Sequence, residues 1–334
     1  MKVLVLYYSQ TGNTQKIARS IAAGVRTCGH QADVKFMTRD KNENTRGNPQ
    51  KAYASLYEIL DDYDMVGIGS PVWYEMPPNV RSFVENMPER NGQLGFSFCT
   101  HATMPNLYFP LVIGRLQRGG FRIVDWAKWY GNSEIQIFPE PYYTAGHPDE
   151  TDMSEAKTFG MQLCEEAQKI LAGDESLIKE APAPDMMRMH ANAAIDHLGG
   201  YHNVHGKLVR DPEKCLYPKC HICMDNCTMG YIQLEKNPQK FGSNGDNCDD
   251  CHGCTYCELL CPVGAIHPEI AYEEAAPVGK DHGSDLFCRV LNAAEAQGTF
   301  RRLIPEDEVG TKSPYYSVHS KHPRRKQLSF KEDI

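Results

Sequence analysis

The chain has 334 residues, 41% hydrophobic and 23% charged, with a formal net charge of -8. That is enough apolar material for two domains and too much for a disordered polypeptide, and the acidity argues against nucleic acid, which asks for a basic face. The longest apolar runs, Val3 to Leu6 and Met65 to Ile68, fall far short of the ~18 residues of a membrane span, and Met1-Lys2 enters the first run with no small-residue cleavage site. A cytoplasmic protein without a membrane span is expected.

Strand-like and helix-like segments then alternate. Val3 to Tyr7 reads as a strand, Thr14 to Thr27 as a helix, Ala32 to Met37 as a strand, Lys51 to Leu60 as a helix and Met65 to Gly69 as a strand. Asn79 to Asn86 reads as a helix, Gly95 to Cys99 as a strand, Tyr108 to Arg118 as a helix, Phe121 to Trp129 as a strand and Ser154 to Ala172 as a helix. This alternation implies right-handed crossovers and a parallel sheet, and runs such as Val-Leu-Val-Leu suit strands buried on both faces. The expected class is α/β, a doubly wound five-stranded parallel sheet.

The first strand ends in Ser9-Gln10-Thr11-Gly12-Asn13-Thr14, followed at once by a helix with Ile17, Ile21 and Val25 on one face. Hydroxyls, backbone N–H groups and a helix N-terminus together suit an oxyanion, and Gly12 lets the backbone come close. Neither GxGxxG nor GxxxxGK[ST] is present, so one phosphate fits better than two or three. The loop resembles that of the flavodoxins, which hold the phosphate of FMN in this strand-to-helix position. The resemblance covers residues 1 to 172. It implies that Ser9, Thr11 and Thr14 supply hydroxyls and that Gln10, Gly12 and Asn13 supply backbone donors. It further implies that Ser70-Pro71-Val72-Trp73-Tyr74 and Thr100-His101-Ala102 are the two loops at the flavin ring, with Trp73 or Tyr74 covering it. Read without the family, Trp73 and Tyr74 are packing residues and His101 a capping or core histidine.

Thirteen cysteines are distributed unevenly: nine lie between Cys215 and Cys261. In a reducing compartment such density means metal rather than disulfides. Cys251-x2-Cys254-x2-Cys257-x3-Cys261-Pro262 matches the bacterial ferredoxin run, whereas a zinc site would want two pairs separated by a dozen or more residues. A second copy, Cys215-x4-Cys220-x2-Cys223-x3-Cys227, has a longer first interval and Thr228 in place of proline. The copies continue alike, as Cys227-Thr-Met-Gly-Tyr-Ile and Cys261-Pro-Val-Gly-Ala-Ile. The resemblance is to dicluster ferredoxins, a small α+β domain over residues 213 to 270. By their crossing rule, Cys215, Cys220, Cys223 and Cys261 would hold one [4Fe-4S] cluster, and Cys251, Cys254, Cys257 and Cys227 the other. Cys248 is a free thiol or an alternative ligand; Cys28, Cys99, Cys164 and Cys288 read as small buried hydrophobes.

The combination resembles the flavodoxin–ferredoxin fusion proteins of anaerobes: residues 1–172 for FMN, a linker over 173–212, the cluster domain over 213–270, and an extension over 271–334 as a docking tail. The linker carries a short helix, Met186 to Leu198, with His190, His197, His202 and His205 as a solvated or packed connector. The extension carries a basic patch, Lys321, His322, Arg324, Arg325 and Lys326. The expected function is electron transfer between FMN and two clusters, to or from a partner redox protein, in anaerobic metabolism. A homodimer or a place in a larger complex is compatible with it. The alternative is a self-sufficient flavin-dependent reductase of a quinone or another conjugated substrate, with His101 or Tyr74 supplying a proton.

Overall fold

The computed structural model describes residues 1–45, 47–73, 75–133, 141–184, 208–236, 241, 254, 256–268 and 284–310. Tyr74, Cys248, Cys251, the 186–198 helix with its histidines and the 321–326 basic patch lie outside the described residues.

Five strands, β1 (Lys2–Tyr7), β2 (Gln31–Phe36), β3 (Met65–Pro71), β4 (Leu94–His101) and β5 (Arg122–Tyr130), pair in parallel in the order β2-β1-β3-β4-β5. This is the flavodoxin-like doubly wound order, with its switch point between β1 and β3. Apolar residues occupy both faces. Leu4, Leu6, Val66 and Ile68 pack toward α4 (Pro78–Glu85) and α5 (Tyr108–Arg118). Val3, Val5, Phe96 and Phe98 pack toward α1 (Asn13–Thr27) and α6 (Glu150–Leu171). Each such fully buried side chain contributes about 1.5–3 kcal/mol. Gly67 and Gly69 face the rings of Phe96 and Phe98 across the β3–β4 pair, and a Cβ on either would collide with its ring.

Several expected boundaries differ: α6 starts at Glu150, four residues before the expected Ser154, where Asp149 caps it, and β4 runs on through Thr100 and His101, two residues of the expected second ring loop. The helix expected over Lys51 to Leu60 is divided into α2 (Pro49–Ala52), α3 (Ala54–Glu58) and a 3-10 turn (Leu60–Asp62), because Tyr53 leaves the helical region at φ -119°, ψ 15°. The break lets Tyr53 and Tyr57 bury their rings against Phe83 and donate to the carbonyls of Asn79 (3.1 Å) and Phe83 (2.8 Å). Strand β3 continues through Ser70 and Pro71, so the loop expected from Ser70 starts two residues later.

Downstream, Lys179 lies along β5, its N–H on the Ile123 carbonyl (2.9 Å) and its ammonium on Asp125 (2.8 Å). The cysteine-rich part pairs β6 (Leu208–Arg210) antiparallel with β7 (Ile266–Pro268), with α7 (Ile222–Asp225) and α8 (Tyr256–Leu260) packed together beside them. Residues 284–310, marked in the sequence only as part of an extension, return to the first domain. Helix α9 (Ser284–Ala296) and Phe300 close a cluster with Tyr142, Tyr143, Ala102 and Tyr130. Arg301 fastens this return by two bonds to Asp149 (2.6 and 2.8 Å), the residue that caps α6 in a reciprocal box with Asp152. Among the described residues no helix is long and apolar enough to cross a membrane.

Candidate functional site

The loops after β1, β3 and β4 all open at the carboxyl edge of the sheet, where a doubly wound fold binds ligands. In the first, Gly12 sits at φ 97°, in the left-handed region, and its N–H donates to Ser9 Oγ (3.0 Å). Helix α1 starts at Asn13, so its first-turn N–H groups face the loop interior. Thr14 is buried and its hydroxyl meets that of Thr100 at 2.8 Å, tying this loop to the end of β4. Asn13 Nδ2 donates to the Asn132 carbonyl (3.0 Å), drawing in the loop after β5. A Cβ on Gly131 would stand 3.4 Å from both Asn13 and Thr100. Gln10 Nε2, Asn132 Oδ1 and Tyr8 Oη, on the segments that follow β1 and β5, are buried without a hydrogen-bond partner.

Of the expected ring-loop residues, Ser70 is fully buried and its hydroxyl reaches Tyr108 Oη (3.3 Å) and the Pro71 carbonyl (2.9 Å), which makes it a support of the sheet end. Val72 N–H donates to the Thr100 carbonyl (2.9 Å), joining the two ring loops. Trp73 stands edge-on to Tyr8, centroids 5.9 Å apart. His101 is buried in β4, opposite Tyr130 in the parallel register, with ring centroids at 4.6 Å. Tyr130 in turn meets Phe300 at 4.7 Å, so the returning segment backs the second loop. Sequence reasoning missed Tyr8 and Asn132. The signal for Tyr8 was its place directly before the oxyanion loop, and for Asn132 the Gly131-Asn132 turn pair after the last strand.

In the cysteine-rich part, Cys215, Cys220, Cys223 and Cys261 line one cavity together with Arg210, Ile222 and Ile266. Burial, then the neighbouring sulfurs of Cys215, Cys261 and Cys220, push the Cys223 thiol up to about 12. Among the described residues no three of these sulfurs lie within 4.8 Å of one another. A single tetrahedral zinc, with Zn–S near ~2.3 Å, needs its sulfurs about 3.8 Å apart. The two cysteine copies share a turn. Gly230 and Gly264 take φ of 67° and 61°, their N–H groups close on the carbonyls of Cys227 and Cys261, and the next residues donate N–H to sulfur: Tyr231 to Cys227 (3.3 Å) and Ala265 to Cys261 (3.1 Å).

Cys227 and Cys254 lie on the side toward the first domain: burial and then Cys254, with Cys227 among the further causes, hold the Tyr8 phenol well above its ordinary value. Cys257 packs against the Leu208, Cys261 and Ile266 cluster. The carboxyl-edge loop after β2 docks here, Thr45 N–H on the Met229 carbonyl (3.4 Å) and Arg39 on the carbonyls of Cys227 (2.8 Å) and Met224 (3.2 Å). Among the described residues the one trio of closely grouped ligand-type atoms outside this region is His147, Asp149 and Asp152. Its atoms are committed elsewhere: His147 to Asp152 (2.6 Å) and the Arg301 carbonyl (2.7 Å), and Asp149 to Arg301.

Residues 5–97 match the family model described as Flavodoxin. An NAD(P)H dehydrogenase (quinone) of Acidovorax ebreus (strain TPSY) is 30% identical over 114 residues, which cover 30% of this chain and 57% of that protein. The chain thus spans little more than half the length of that relative. A protein of the same name from Archaeoglobus fulgidus is 26% identical over 205 residues, covering 51% of this chain and 98% of its own. Among solved structures, a flavodoxin from the domain Archaea aligns with 50% of this chain and 99% of its own at 18% identity and a TM-score of 0.36. A flavone reductase aligns with 51% of this chain and 64% of its own at 11% identity and a TM-score of 0.40. Residues 5–97 are thus similar to flavodoxins, and the strands over residues 2–130 have the flavodoxin-like order.

Proposed function

We propose that the chain is an electron-transfer flavo-iron-sulfur protein, which holds FMN at the carboxyl edge of the sheet and two [4Fe-4S] clusters in the cysteine-rich module. When bound, the flavin exchanges two electrons singly and each cubane carries one. Ser9, Thr11 and Thr14, with the first N–H groups of α1, would hold the phosphate, while Gly12 and Gly131 keep backbone and space open for it. The orphaned Gln10 Nε2, Asn132 Oδ1 and Tyr8 Oη suit a polar ligand with donors and acceptors. Trp73 or Tyr74 would cover the ring, and the loop of Thr100, His101 and Ala102 would face its other edge. Cys215, Cys220, Cys223 and Cys261 would form one cluster site, and Cys227, Cys251, Cys254 and Cys257 the other.

The observation that carries the reading is the meeting of Cys261 with Cys215, Cys220 and Cys223 in one cavity, across the intervening copy, as a crossed two-cluster partition requires. Leu216 and Val263, both exposed, rim that cavity and leave it within reach of a partner redox protein. Replacing Cys220 by Ala is expected to lower the iron of anaerobically purified protein from about eight to about four per chain, the content of one cubane. Full retention of iron would refute the ligand assignment.

A second reading, a flavin-dependent quinone reductase, is favoured by the names of the relatives that share the first domain. NAD(P)H-driven quinone reduction that persists at full rate in the Cys220→Ala, Cys254→Ala double variant would select it.

A further inference from the structure

Arg39 comes from the polar segment Thr38-Arg39-Asp40-Lys41-Asn42, which in sequence looks like an ordinary solvated loop. In the structure its guanidinium is drawn into the junction between the two modules. Its four hydrogen bonds all end on backbone carbonyls: Nε on Cys227 (2.8 Å), Nη1 on Asp40 (2.7 Å) and Glu43 (3.1 Å), and Nη2 on Met224 (3.2 Å). The turn it grips is shaped to receive it. Gly230 adopts φ 67°, and a Cβ there would stand 2.8 Å from the Glu43 carbonyl and 3.2 Å from Arg39 Cζ.

Carbonyl dipoles satisfy the N–H donors of this half-buried guanidinium but do not neutralise its charge. Nε lies 2.8 Å from the carbonyl of Cys227, which brings the guanidinium charge beside any cluster that Cys227 would ligate.

This inference rests on the two-cluster reading above. We propose that Arg39 is the positioning cation that raises the reduction potential of the cluster site built on Cys227 and Cys254, while its carbonyl contacts hold that site against the flavodoxin-like domain. A fixed positive charge favours the more negative, reduced state of a neighbouring centre. The matching turn of the other copy, Cys261-Pro262-Val263-Gly264, has its Pro262 and Val263 exposed rather than covered by a loop of the first domain. The Cys261 carbonyl takes the Gly264 N–H (3.3 Å). The two sites are alike in turn geometry and differ in what lies against them: Arg39 and the β2 loop meet the carbonyl of Cys227, whereas Arg210 lines the cavity at Cys261.

The test is a redox titration of the full chain, followed by the paramagnetic signal of the reduced clusters. In Arg39→Gln one of the two cluster steps is expected to move to lower potential by about tenfold in its equilibrium, ~59 mV for one electron, while the other stays and Arg39→Lys restores most of the shift. Unmoved potentials in a variant with full iron would overturn the proposal. If Arg39→Gln loses iron, Arg39→Lys decides: iron kept by lysine supports a requirement for charge, and equal loss from both overturns it. Wild-type protein with fewer than about eight irons fails the two-cluster reading itself, and the inference with it.

Discussion

Gly12 and Thr14 carry opposite kinds of work in the oxyanion loop. Gly12 supplies a backbone conformation, φ 97°, that an L side chain enters only with strain of roughly 1–2 kcal/mol. Thr14 supplies a hydroxyl shared with Thr100, a bond worth about 1 kcal/mol net. Gly12→Ala is expected to weaken FMN binding about tenfold in a fluorescence titration of the flavin-stripped protein, and Thr14→Val to weaken it by a similar factor. Unchanged affinity in both would remove the loop from the flavin site. The loop was legible because its residues are contiguous and its glycine and hydroxyls announce the geometry. Tyr8, Arg39 and Asn132 were not, since each gains its role from partners distant in sequence, which no local pattern encodes.

Among elements, the five strands of the parallel sheet were legible to within two residues because a sheet buried on both faces writes itself as short continuous apolar runs, whereas β6 and β7 were not expected. The helix expected over Lys51 to Leu60 is interrupted at Tyr53, whose ring, like that of Tyr57, packs on Phe83, a contact distant in sequence that no local pattern encodes. Helix α9 and the return of residues 284–310 had no local signature, because their apolar positions complete a cluster begun by Tyr142 and Tyr143. Arg301 holds this return through Asp149, whose carboxyl it keeps well below the usual carboxylate range, chiefly by hydrogen bonding. Since the folded-state value is depressed, the stabilisation is in place above the unfolded value of about 3.9 and is lost as pH falls below it. The pair is partly exposed, so its worth is at most about 1 kcal/mol. Arg301→Ala should lower Tm by roughly 2–4 °C at pH 7, and the difference from wild type should shrink as pH falls through about 4. A difference that is constant from pH 7 to pH 3 would show that the bond to Asp149 is not what holds the segment.

At the scale of the whole molecule, a sheet that buries its own core carries a module whose described residues form two short strands and two short helices. In that module four of nine clustered cysteines converge on one cavity. Such a module has little apolar core of its own, and on the proposed reading the inorganic clusters supply its folding energy, as metal sites do in small domains. Its contacts with the first domain run through the β2 loop, at the edge of the sheet that also holds the oxyanion loop. On the proposed reading, flavin and cluster sites would share one junction, with Tyr8 and Arg39 inside it. On the same reading, the charge of -8 and the exposed Leu216 and Val263 would suit brief meetings with another redox protein. The measurement that tests this account most directly is the cofactor content of the full chain purified without oxygen. About one FMN and about eight irons with matching acid-labile sulfide per chain are expected; protein with no flavin, or with about four irons or fewer, would contradict the flavo-iron-sulfur reading.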